Sequence, residues 1–434
     1  MPRLPQVVII GGGFAGLAAA RRLAGVPCEV TIVDRHNHHV FQPLLYQVAT
    51  AGLSPGDIAS PIRWILRKQA RLRVMLATVT AIDSAARTIT LDDQTPLAYD
   101  YLIVGAGATH SYFNHGEWQD VAPGLKTLDD ALAVRRRLLL AFEEAELEAD
   151  PARQRFLMTF VIVGGGPTGV ELAGALAEIA RQALRSEYDA VDPATARIVL
   201  IEAGPSILPA FPQSLRDSAR RALVRLGVDV REGTAVTQIS SGLVQLGDER
   251  LEAHTILWAA GVAAAPIARD LGPGLDRVGR VIVEPDLSVA GHDRVLVAGD
   301  LACFTHQAGQ PLPGVAQVAK QMGHHAAANV ARLIAGETPR PFRYRDPGNM
   351  ATIGRAAAIA DFGFLRVSGF LAWTLWLFVH IFFLIGFRNR VSVLVQWAAA
   401  YLTYQRSVRL ITGAGMQGAK GAKGANAAPE ANSS

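Results

Sequence analysis

Residues 7–16 read Val7-Val8-Ile9-Ile10-Gly11-Gly12-Gly13-Phe14-Ala15-Gly16, an apolar strand followed at once by a cluster of glycines. A helical pattern continues through Leu23, and a second apolar strand over 29–33 ends in Asp34. A signal peptide is the alternative for an apolar N-terminus, but glycines at its centre would break its helix. We therefore expect the fold to begin immediately, with no targeting segment.

Three of these glycines, Gly11, Gly13 and Gly16, form the pattern G-x-G-x-x-G, and Asp34 lies 18 residues past the last of them. The first glycine allows a tight turn, the second lets the backbone approach a pyrophosphate, and the third lets helix pack on strand. The helix N-terminus attracts phosphates, and the acid accepts hydrogen bonds from ribose hydroxyls. The unit predicts a dinucleotide site, with a purely structural glycine turn as the alternative.

The same unit occurs a second time. A strand over 160–163 leads into Gly164-Gly165-Gly166-Pro167-Thr168-Gly169, and a strand over 197–201 ends in Glu202, 33 residues past Gly169. This longer spacing fits an extended helix end and loop over 185–196. Two dinucleotide folds in one chain indicate electron transfer between two bound nucleotides. We predict an α/β protein with two Rossmann-like dinucleotide-binding domains.

Composition limits the other classes of protein. The chain has 434 residues, about three domains' worth, of which 50% are hydrophobic and 18% charged. Cys28 and Cys303 are the only cysteines, which excludes a disulfide scaffold, a cysteine-based zinc site and a redox-dithiol enzyme. No residue pattern suggests a metal. The basic excess lies wholly in residues 362–429, which hold seven Lys or Arg and no acid, so an anionic membrane surface is favoured over nucleic acid as partner.

Three further apolar strands end in small residues. Those at 99–104 and 255–258 run into Gly105-Ala106-Gly107 and Ala259-Ala260-Gly261, and each is expected to be a crossover out of a nucleotide domain. The strand at 294–298 ends in Gly299-Asp300, at the edge where open α/β sheets bind ligands. Asp300 is either a ligand-binding acid, a helix N-cap, or both.

With these residues assembled, the chain resembles the two-dinucleotide-binding flavoprotein superfamily over about residues 5–345. Within it, the chain resembles the type II NADH dehydrogenases, the NADH:quinone oxidoreductases. The narrower resemblance rests on Phe41-Gln42-Pro43-Leu44-Leu45-Tyr46-Gln47, on Ala316-Gln317-Val318-Ala319-Lys320-Gln321, on Gly348-Asn349-Met350-Ala351-Thr352-Ile353-Gly354, and on an aromatic C-terminal segment.

The resemblance implies bound FAD, with NADH and a quinone, ubiquinone or menaquinone, as substrates. The implied FAD residues are Gly11, Gly13, Phe14, Ala15, Gly16, Asp34, Arg35, Gly107, Asp300, Ala316 and Gln317. The implied NADH residues are Gly164, Gly166, Gly169, Glu171, Glu202 and Gly261. No Arg follows Glu202 to neutralise a 2′-phosphate, so NADH is expected over NADPH. The implied domains are FAD-binding over 1–111 and 293–345, NADH-binding over 112–292, membrane-docking over 346–411, and a disordered tail over 412–434.

Three side chains are predicted to act in catalysis. Glu171 matches an acid that faces nicotinamide and flavin in the family; the alternative is a first-turn acid favoured by the helix dipole. Gln317 and Gln321 are four residues apart and share a helix face. By the resemblance they border flavin and quinone, and without it they would be an ordinary polar face. Lys320 and His380 are left without a role.

The C-terminal segment is the most apolar part of the chain. Residues 367–387 contain no formal charge, and an amphipathic stretch follows over 391–411. Together these two stretches contain Trp373, Trp376, Trp397, Tyr401 and Tyr404. We expect helices docked in the plane of the membrane, as the resemblance implies. One membrane-spanning helix and a buried dimer interface are the alternatives.

The activity that the resemblance implies is FAD-dependent oxidation of NADH with two-electron reduction of a membrane quinone and no proton pumping. The expected location is the cytoplasmic face of the inner membrane, as a peripheral protein. A homodimer is common in the family, and the sequence leaves open whether this chain forms one. Another flavoprotein reductase is one alternative, although a sulfide:quinone oxidoreductase would need catalytic cysteines. A membrane-tethered, NADH-responsive signalling protein is the other.

Overall fold

The computed structural model describes residues 3–185, 187–385, 387–403 and 408–411. The predicted tail over 412–434 lies outside these residues, as does Tyr404 of the aromatic segment. Within them the predicted fold class is confirmed: two sheets carry helices, and a smaller C-terminal unit follows. One sheet is parallel throughout, and the other is parallel except for its edge strand Ser288–Val289.

The first sheet is built around the N-terminal strand. Its register pairs Val8 with Thr31 on one side and with Leu102 on the other, both in parallel. These strands are buried on both faces, which explains their unbroken apolar sequences. In spatial order the six strands are Ser288–Val289, His292–Val297, Tyr101–Val104, Gln6–Ile10, Glu29–Asp34 and Leu72–Leu76.

The second sheet repeats this arrangement with four parallel strands. In spatial order they are Val228–Arg231, Arg197–Ile201, Thr159–Val163 and Thr255–Trp258. The glycine turn after the third leads into the helix Pro167–Glu178, with Pro167 in its first turn. That helix continues as a single π-helical turn over Ile179–Ala183. Such turns occur often at functional sites.

The two sheets are joined by a two-stranded ribbon. Ala108–His110 pairs antiparallel with Val262–Ala264, directly after the two predicted crossover strands. The crossover prediction is thus confirmed. Strands at Val281–Ile282 and Ser288–Val289 lie inside the predicted NADH-binding segment 112–292 but belong to the first domain's core. The division into domains stays a prediction, and sheet membership supports a boundary near residue 265 instead of 292.

Smaller elements complete the two domains. The remaining strands form short sheets, namely His38–Val40 with Ala59–Pro61, Val79–Asp83 with Thr88–Leu91 and Pro96–Ala98, Gln238–Ser240 with Leu243–Leu246 and Glu249–Glu252, and Val281–Ile282 with Ala302–Cys303. The other α-helices of the two domains are Phe14–Arg22, Leu45–Ala49, Pro55–Ile58, Ile62–Leu66, Leu128–Leu147, Pro151–Leu157, Gln213–Arg225 and Ala316–Ile334. Cys28 and Cys303 are both buried free thiols.

The C-terminal unit divides the apolar run over 367–387 between a strand and helices. Strands Asn349–Gly354, Ala357–Asp361 and Arg366–Gly369 form an antiparallel sheet that the sequence pattern did not reveal. Gly369, with φ of 74°, then turns the chain into helix Phe370–Phe383, and helix Phe387–Thr403 follows. Among the described residues we find no helix with the length and apolar character needed to cross a bilayer.

Candidate functional site

A cleft of about 660 Å³ lies at the carboxyl edge of the first sheet. Nine of the predicted FAD residues line it: Gly11, Gly13, Phe14, Ala15, Asp34, Arg35, Gly107, Asp300 and Ala316. Gly16 lies beneath, where any β-carbon would collide with the carbonyl oxygen of Gly11. At Gly13 a β-carbon would have no atom within 4 Å, so the backbone is open to close approach by a ligand.

The glycine turn of this cleft is held from two sides. Asp34 accepts hydrogen bonds from the backbone N–H of Gly12 at 2.5 Å and of His36 at 2.7 Å. His39 donates from Nδ1 to the carbonyl oxygen of Gly12 at 3.0 Å, and its imidazole is buried against Phe14. Burial lowers the pKa of His39 to about 4, so the ring is neutral at physiological pH.

The far end of the cleft brings together charges from distant parts of the chain. Lys126 Nζ lies 3.6 Å from Asp300 Oδ2, and both side chains line the cleft. Asp300 is the middle residue of a short 3₁₀ helix, Gly299–Leu301, whose N-cap is Ala298, and a strand, Ala302–Cys303, comes next. Asp300 is therefore not a helix N-cap. Lys126, His39 and Gln42 also line the cleft. No motif in the sequence contains Lys126 or His39, whereas Gln42 belongs to the stretch 41–47 on which the family resemblance rests.

The second glycine turn has the same geometry. Glu202 accepts from the N–H of Gly165 at 2.6 Å and of Gly204 at 2.7 Å. Gly169 lies against the carbonyl oxygen of Gly164, and Gly166 is open in the same way as Gly13. Gly261, with φ of 110°, stands at the start of the connecting ribbon, against the ring of Phe113. The pseudo-repeat in the sequence therefore extends to individual hydrogen bonds.

A second cavity, of about 120 Å³, lies between the second domain and the C-terminal unit. Glu171, Ala175 and Glu178 of helix Pro167–Glu178 form one side of it, and Thr352 of the C-terminal sheet lines another. Trp373, Trp376 and Trp397 form an aromatic wall. Glu171 Oε1 accepts a long hydrogen bond, 3.4 Å, from the backbone N–H of Thr352. Desolvation raises the pKa of Glu171 to about 8.

The two predicted glutamines differ in their surroundings. Both polar atoms of the Gln321 amide bind the main chain of Arg345: Nε2 donates to its carbonyl oxygen at 2.9 Å, and Oε1 accepts from its N–H at 3.0 Å. Gln317 is half-buried one turn earlier and is not among the residues lining the large cleft, although its neighbour Ala316 is. Of these helix residues, Ala316 therefore lines the cleft and Gln317 does not. The amide of Gln321 binds the main chain at residue 345.

The residues left without a role lie at the domain boundary. Lys320 Nζ lies 4.4 Å above the ring of Phe383, from helix Phe370–Phe383, and burial lowers its pKa. His380 donates from Nδ1 to the carbonyl oxygen of Trp376 and stacks on that indole, and burial lowers its pKa to about 4. Across the described residues, no group of three or more His, Cys, Asp or Glu is arranged to hold a metal ion.

Comparison with known proteins places the chain. Residues 5–323 match the model of the pyridine nucleotide-disulphide oxidoreductase family, and residues 347–406 match that of the NDH2 C-terminal domain. The type II NADH:quinone oxidoreductase Ndh of Mycobacterium tuberculosis is 42% identical over 428 residues, covering 95% of this chain and 91% of the relative. The type II NADH:quinone oxidoreductase of Staphylococcus saprophyticus is 29% identical, covering 80% of this chain and 87% of the relative.

Solved structures show the same fold. The Plasmodium falciparum NDH2 in complex with NADH superposes with a TM-score of 0.85 at 20% identity, covering 95% of this chain and all of that one. The sulfide:quinone oxidoreductase of Aquifex aeolicus reaches 0.68 at 19% identity, covering 89% and 92%. The chain thus belongs to the pyridine nucleotide-disulphide oxidoreductase family and, within it, to the type II NADH:quinone oxidoreductases, flavoproteins that use FAD to oxidise NADH and reduce quinone.

Proposed function

We propose specific roles for this chain's residues in the oxidation of NADH and reduction of quinone. The observation that carries the proposal is the pair of matching acid–glycine contacts, Asp34 with Gly12 and Glu202 with Gly165. The first contact lies in the large cleft and would hold FAD, and the second would hold NADH. When bound, FAD supplies the two-electron redox chemistry.

The large cleft fits FAD by its shape and by its donors. Gly13 leaves the backbone open where a pyrophosphate would lie, at the N-terminus of helix Phe14–Arg22. Asp34 is proposed to bind the adenosine ribose, and Asp300 with Lys126 the ribitol and flavin end; all three side chains line the cleft. Gly11, Phe14, Ala15, Arg35, Gly107 and Ala316 complete the proposed contacts.

The second turn would bind NADH through Gly164, Gly166, Gly169 and Gly261. Both carboxylate oxygens of Glu202 already accept backbone hydrogen bonds, which fixes the negative charge at this edge. A 2′-phosphate would meet that charge, so we propose NADH as the preferred nucleotide. Glu171 lies two residues past Gly169, in helix Pro167–Glu178, and is proposed to face the nicotinamide.

Gln317 is proposed to contact quinone, because its amide adds hydrogen-bonding groups without adding charge. Gln321 is proposed to position this helix against residue 345 through its two bonds to Arg345. The quinone is ubiquinone or menaquinone.

The C-terminal unit is proposed to dock on the membrane surface in plane, at the cytoplasmic face of the inner membrane. Its described residues expose an unusual set of large apolar side chains: Phe364, Leu365, Phe370, Leu371, Phe378, Phe382, Val391, Leu394, Val395, Leu410 and Ile411. Two of the seven basic residues of 362–429 contact protein instead, since Arg409 pairs with Glu187 and Arg390 donates to the carbonyl oxygen of Leu384. Apolar contact therefore supports docking more than these arginines do.

The test is anaerobic reduction of the purified yellow protein by NADH, followed by mixing with a short-chain quinone. We expect the flavin to bleach with NADH far faster than with NADPH and to recolour with quinone. Equal bleaching by both nucleotides would contradict the role given to Glu202. Size-exclusion chromatography with light scattering tests separately whether the chain forms the homodimer that is common in the family.

A further inference from the structure

Positive charge is concentrated on one side of the first domain. Three stretches of its sequence, 1–28, 58–82 and 301–336, together contain ten Lys or Arg and no Asp or Glu. Each stretch includes a helix that packs on the core of this domain, and these helices are Phe14–Arg22, Ile62–Leu66 and Ala316–Ile334. The positive charge of the three helices is therefore not offset by any acid in the same stretches.

The three helices cover the same face of the first sheet. Two successive connections run from the N-terminal strand to Glu29–Asp34 and on to Leu72–Leu76, each time to the next parallel strand in the same direction. Such connections are right-handed in nearly all sheets, so the helices in both lie on one face. The third helix, Ala316–Ile334, packs so closely on the first that a β-carbon at Gly323 would collide with the carbonyl oxygen of Ala15. The three helices thus form one layer.

The outer side of this layer presents a tryptophan among basic side chains. Arg63, Arg67 and Lys68 are exposed on the second helix and just after it. Trp64 is 46% exposed, and the guanidinium of Arg67 lies 4.4 Å from the centre of its ring. Tryptophan is enriched at the membrane–water interface, and basic side chains favour anionic headgroups. This combination is typical of a surface that contacts lipid headgroups.

The C-terminal unit reaches the layer at two points. Lys320 Nζ of the third helix lies 4.4 Å from the ring centre of Phe383. Burial, and then the nearby charge of Arg21 on the first helix, lower the pKa of Lys320. At the second point, Asn389 Nδ2 donates to Ser60 Oγ at 3.4 Å, just before the second helix begins. The C-terminal helices therefore lie directly beside the basic layer.

The basic side chains and the exposed apolar side chains of the C-terminal unit form one continuous surface. Next to Asn389, the guanidinium of Arg390 lies 5.8 Å from the ring centre of Phe382, which is 67% exposed. Contacts thus lead from Phe382 through Arg390 and Asn389 to the strand that precedes Arg63. A bilayer that covers the apolar side chains would therefore bring its headgroups to this layer.

We propose that Arg63, Arg67 and Lys68, with Trp64, form a second membrane contact that binds the anionic phospholipid headgroups beside the docked C-terminal unit. The proposal rests on the proposed in-plane docking of that unit. It supplies positive charge facing the bilayer. Two contacts on different units also fix the orientation of the protein on the membrane, whereas a single helix pair leaves it free to tilt.

Two other basic residues of the same stretch have a different explanation. Arg71 and Arg73 are exposed at and just before the edge strand Leu72–Leu76 of the first sheet. Charged side chains at such an edge prevent pairing with strands of other molecules. We therefore leave both out of the proposed contact.

Co-sedimentation of the full-length holoprotein with vesicles tests the contact. The triple variant Arg63→Gln, Arg67→Gln and Lys68→Gln should bind vesicles of equal parts phosphatidylcholine and phosphatidylglycerol roughly 10- to 100-fold more weakly than the parent, since each basic residue near an anionic surface contributes about 5-fold. Its binding to pure phosphatidylcholine should be almost unchanged, because the apolar side chains remain. Raising NaCl from about 0.1 M to about 1 M, which shortens the Debye length from about 10 Å to about 3 Å, should weaken the parent more than the variant.

A matched control separates this contact from net charge. The triple variant Arg221→Gln, Arg225→Gln and Arg250→Gln removes the same charge from exposed sites of the second domain. FAD absorbance and thermal unfolding report whether both triple variants keep the fold. Equal losses in the two variants, or undiminished binding of the first to anionic vesicles, would overturn the proposed contact.

Two further measurements locate the contact. Lipids brominated near the headgroup quench tryptophan at short range, and comparison with Trp64→Phe isolates Trp64 from the other tryptophans. We expect the bound parent to show a quenched component that Trp64→Phe lacks, and equal quenching in both would overturn the contact. Replacing both Phe378 and Phe382 with Glu should weaken binding to neutral and anionic vesicles. If that variant bound both as the parent does, the proposed docking of the C-terminal unit would be wrong instead.

Discussion

His39 donates its Nδ1–H to the carbonyl oxygen of Gly12, the middle glycine of the first turn, at a distance of 3.0 Å. The carbonyl oxygen of Gly165, which occupies the same place in the second turn, accepts from the backbone N–H of Leu208 at 2.8 Å. In both turns the carbonyl oxygen of the middle glycine thus accepts a hydrogen bond. The donor is a side chain in the first turn and a backbone N–H in the second. The bond requires the neutral tautomer with hydrogen on Nδ1, which leaves Nε2 as a buried acceptor without a hydrogen-bond partner.

The side-chain bond of the first turn can be removed by substitution. His39→Leu should weaken FAD binding, because a buried carbonyl left unpaired costs about 1–3 kcal/mol, or roughly 5- to 150-fold in affinity. His39→Asn places an amide N–H near the position of Nδ1 and should restore most of the affinity. FAD fluorescence on dilution measures release, and NAD⁺ affinity is the control, since the second turn has a backbone donor. Equal FAD loss in both variants would rule out the hydrogen bond as the cause.

The two acid–glycine contacts provide a crossed test of nucleotide assignment. Asp34→Asn should lower FAD retention and leave NAD⁺ affinity in the remaining holoprotein within about 2-fold. Glu202→Gln should raise the NADH KM roughly 10-fold with FAD content unchanged, since bonds to a charged acceptor are worth about 1.5–3 kcal/mol. FAD content by absorbance and NAD⁺ binding by calorimetry measure the two effects. Were Asp34→Asn to weaken NADH and spare FAD, the two turns would be assigned in reverse.

The raised pKa of Glu171 predicts a change of stability with pH. Below pH 4.5 the carboxyl is protonated in both folded and unfolded chains; between 4.5 and about 8 only the folded chain keeps the proton. Stability contributed by this group is therefore lost as pH rises through that window. Glu171→Gln should be more stable relative to the parent at pH 8 than at pH 5, by at least about 1.4 kcal/mol, which is the free energy of one pKa unit. Thermal unfolding of the holoproteins at both pH values measures this, and parallel curves would contradict it.

The different surroundings of the two glutamines predict different defects. Gln321→Ala removes both bonds to Arg345 and should lower the free energy of unfolding by about 1–3 kcal/mol. Gln317→Ala should leave stability nearly unchanged and slow recolouring by quinone about 2- to 10-fold, the effect of losing one hydrogen bond. Stopped-flow absorbance separates bleaching by NADH from recolouring. If Gln317→Ala slowed bleaching instead, that side chain would belong to the nicotinamide side.

The exposed apolar face predicts the effect of charge on membrane binding. Phe378 and Phe382 are 65% and 67% exposed on one helix. Replacing both with Glu should weaken co-sedimentation with phosphatidylglycerol vesicles at least about 10-fold, since burying each ring is worth about 1.5–3 kcal/mol. Leu147→Glu together with Val224→Glu, at residues 80% and 50% exposed on two other helices, adds the same charge and is the matched control. Substitution is preferable to truncation, because Trp376 and Leu384 are buried in the main core. Equal loss in the control would mean that net charge, and not this face, governs binding.

The sequence by itself determined the two nucleotide-binding folds and most of the residues at the carboxyl edges of their sheets. Gly11, Gly16 and Gly164 are required by local backbone geometry, and Asp34 and Glu202 follow from strand length, so short-range spacing was sufficient to predict them. The crossover strands before Gly107 and Gly261 were predictable for the same reason. The family resemblance added the order of the cofactors, which spacing alone does not contain.

Only the tertiary structure decided which distant side chains meet. Lys126 reaches Asp300, and Glu171 meets Thr352, across separations that no spacing encodes. Gln321 has the sequence position of a site residue, yet its amide is used by Arg345. The apolar run over 367–387 is continuous in the sequence. Its first three residues, however, belong to a strand that pairs with Ala357–Asp361, and a 14-residue helix follows. Hydrophobicity indicates only that a residue is withdrawn from water. Whether that residue lies in a strand or in a helix is decided by backbone pairing with a partner strand, which is a tertiary contact.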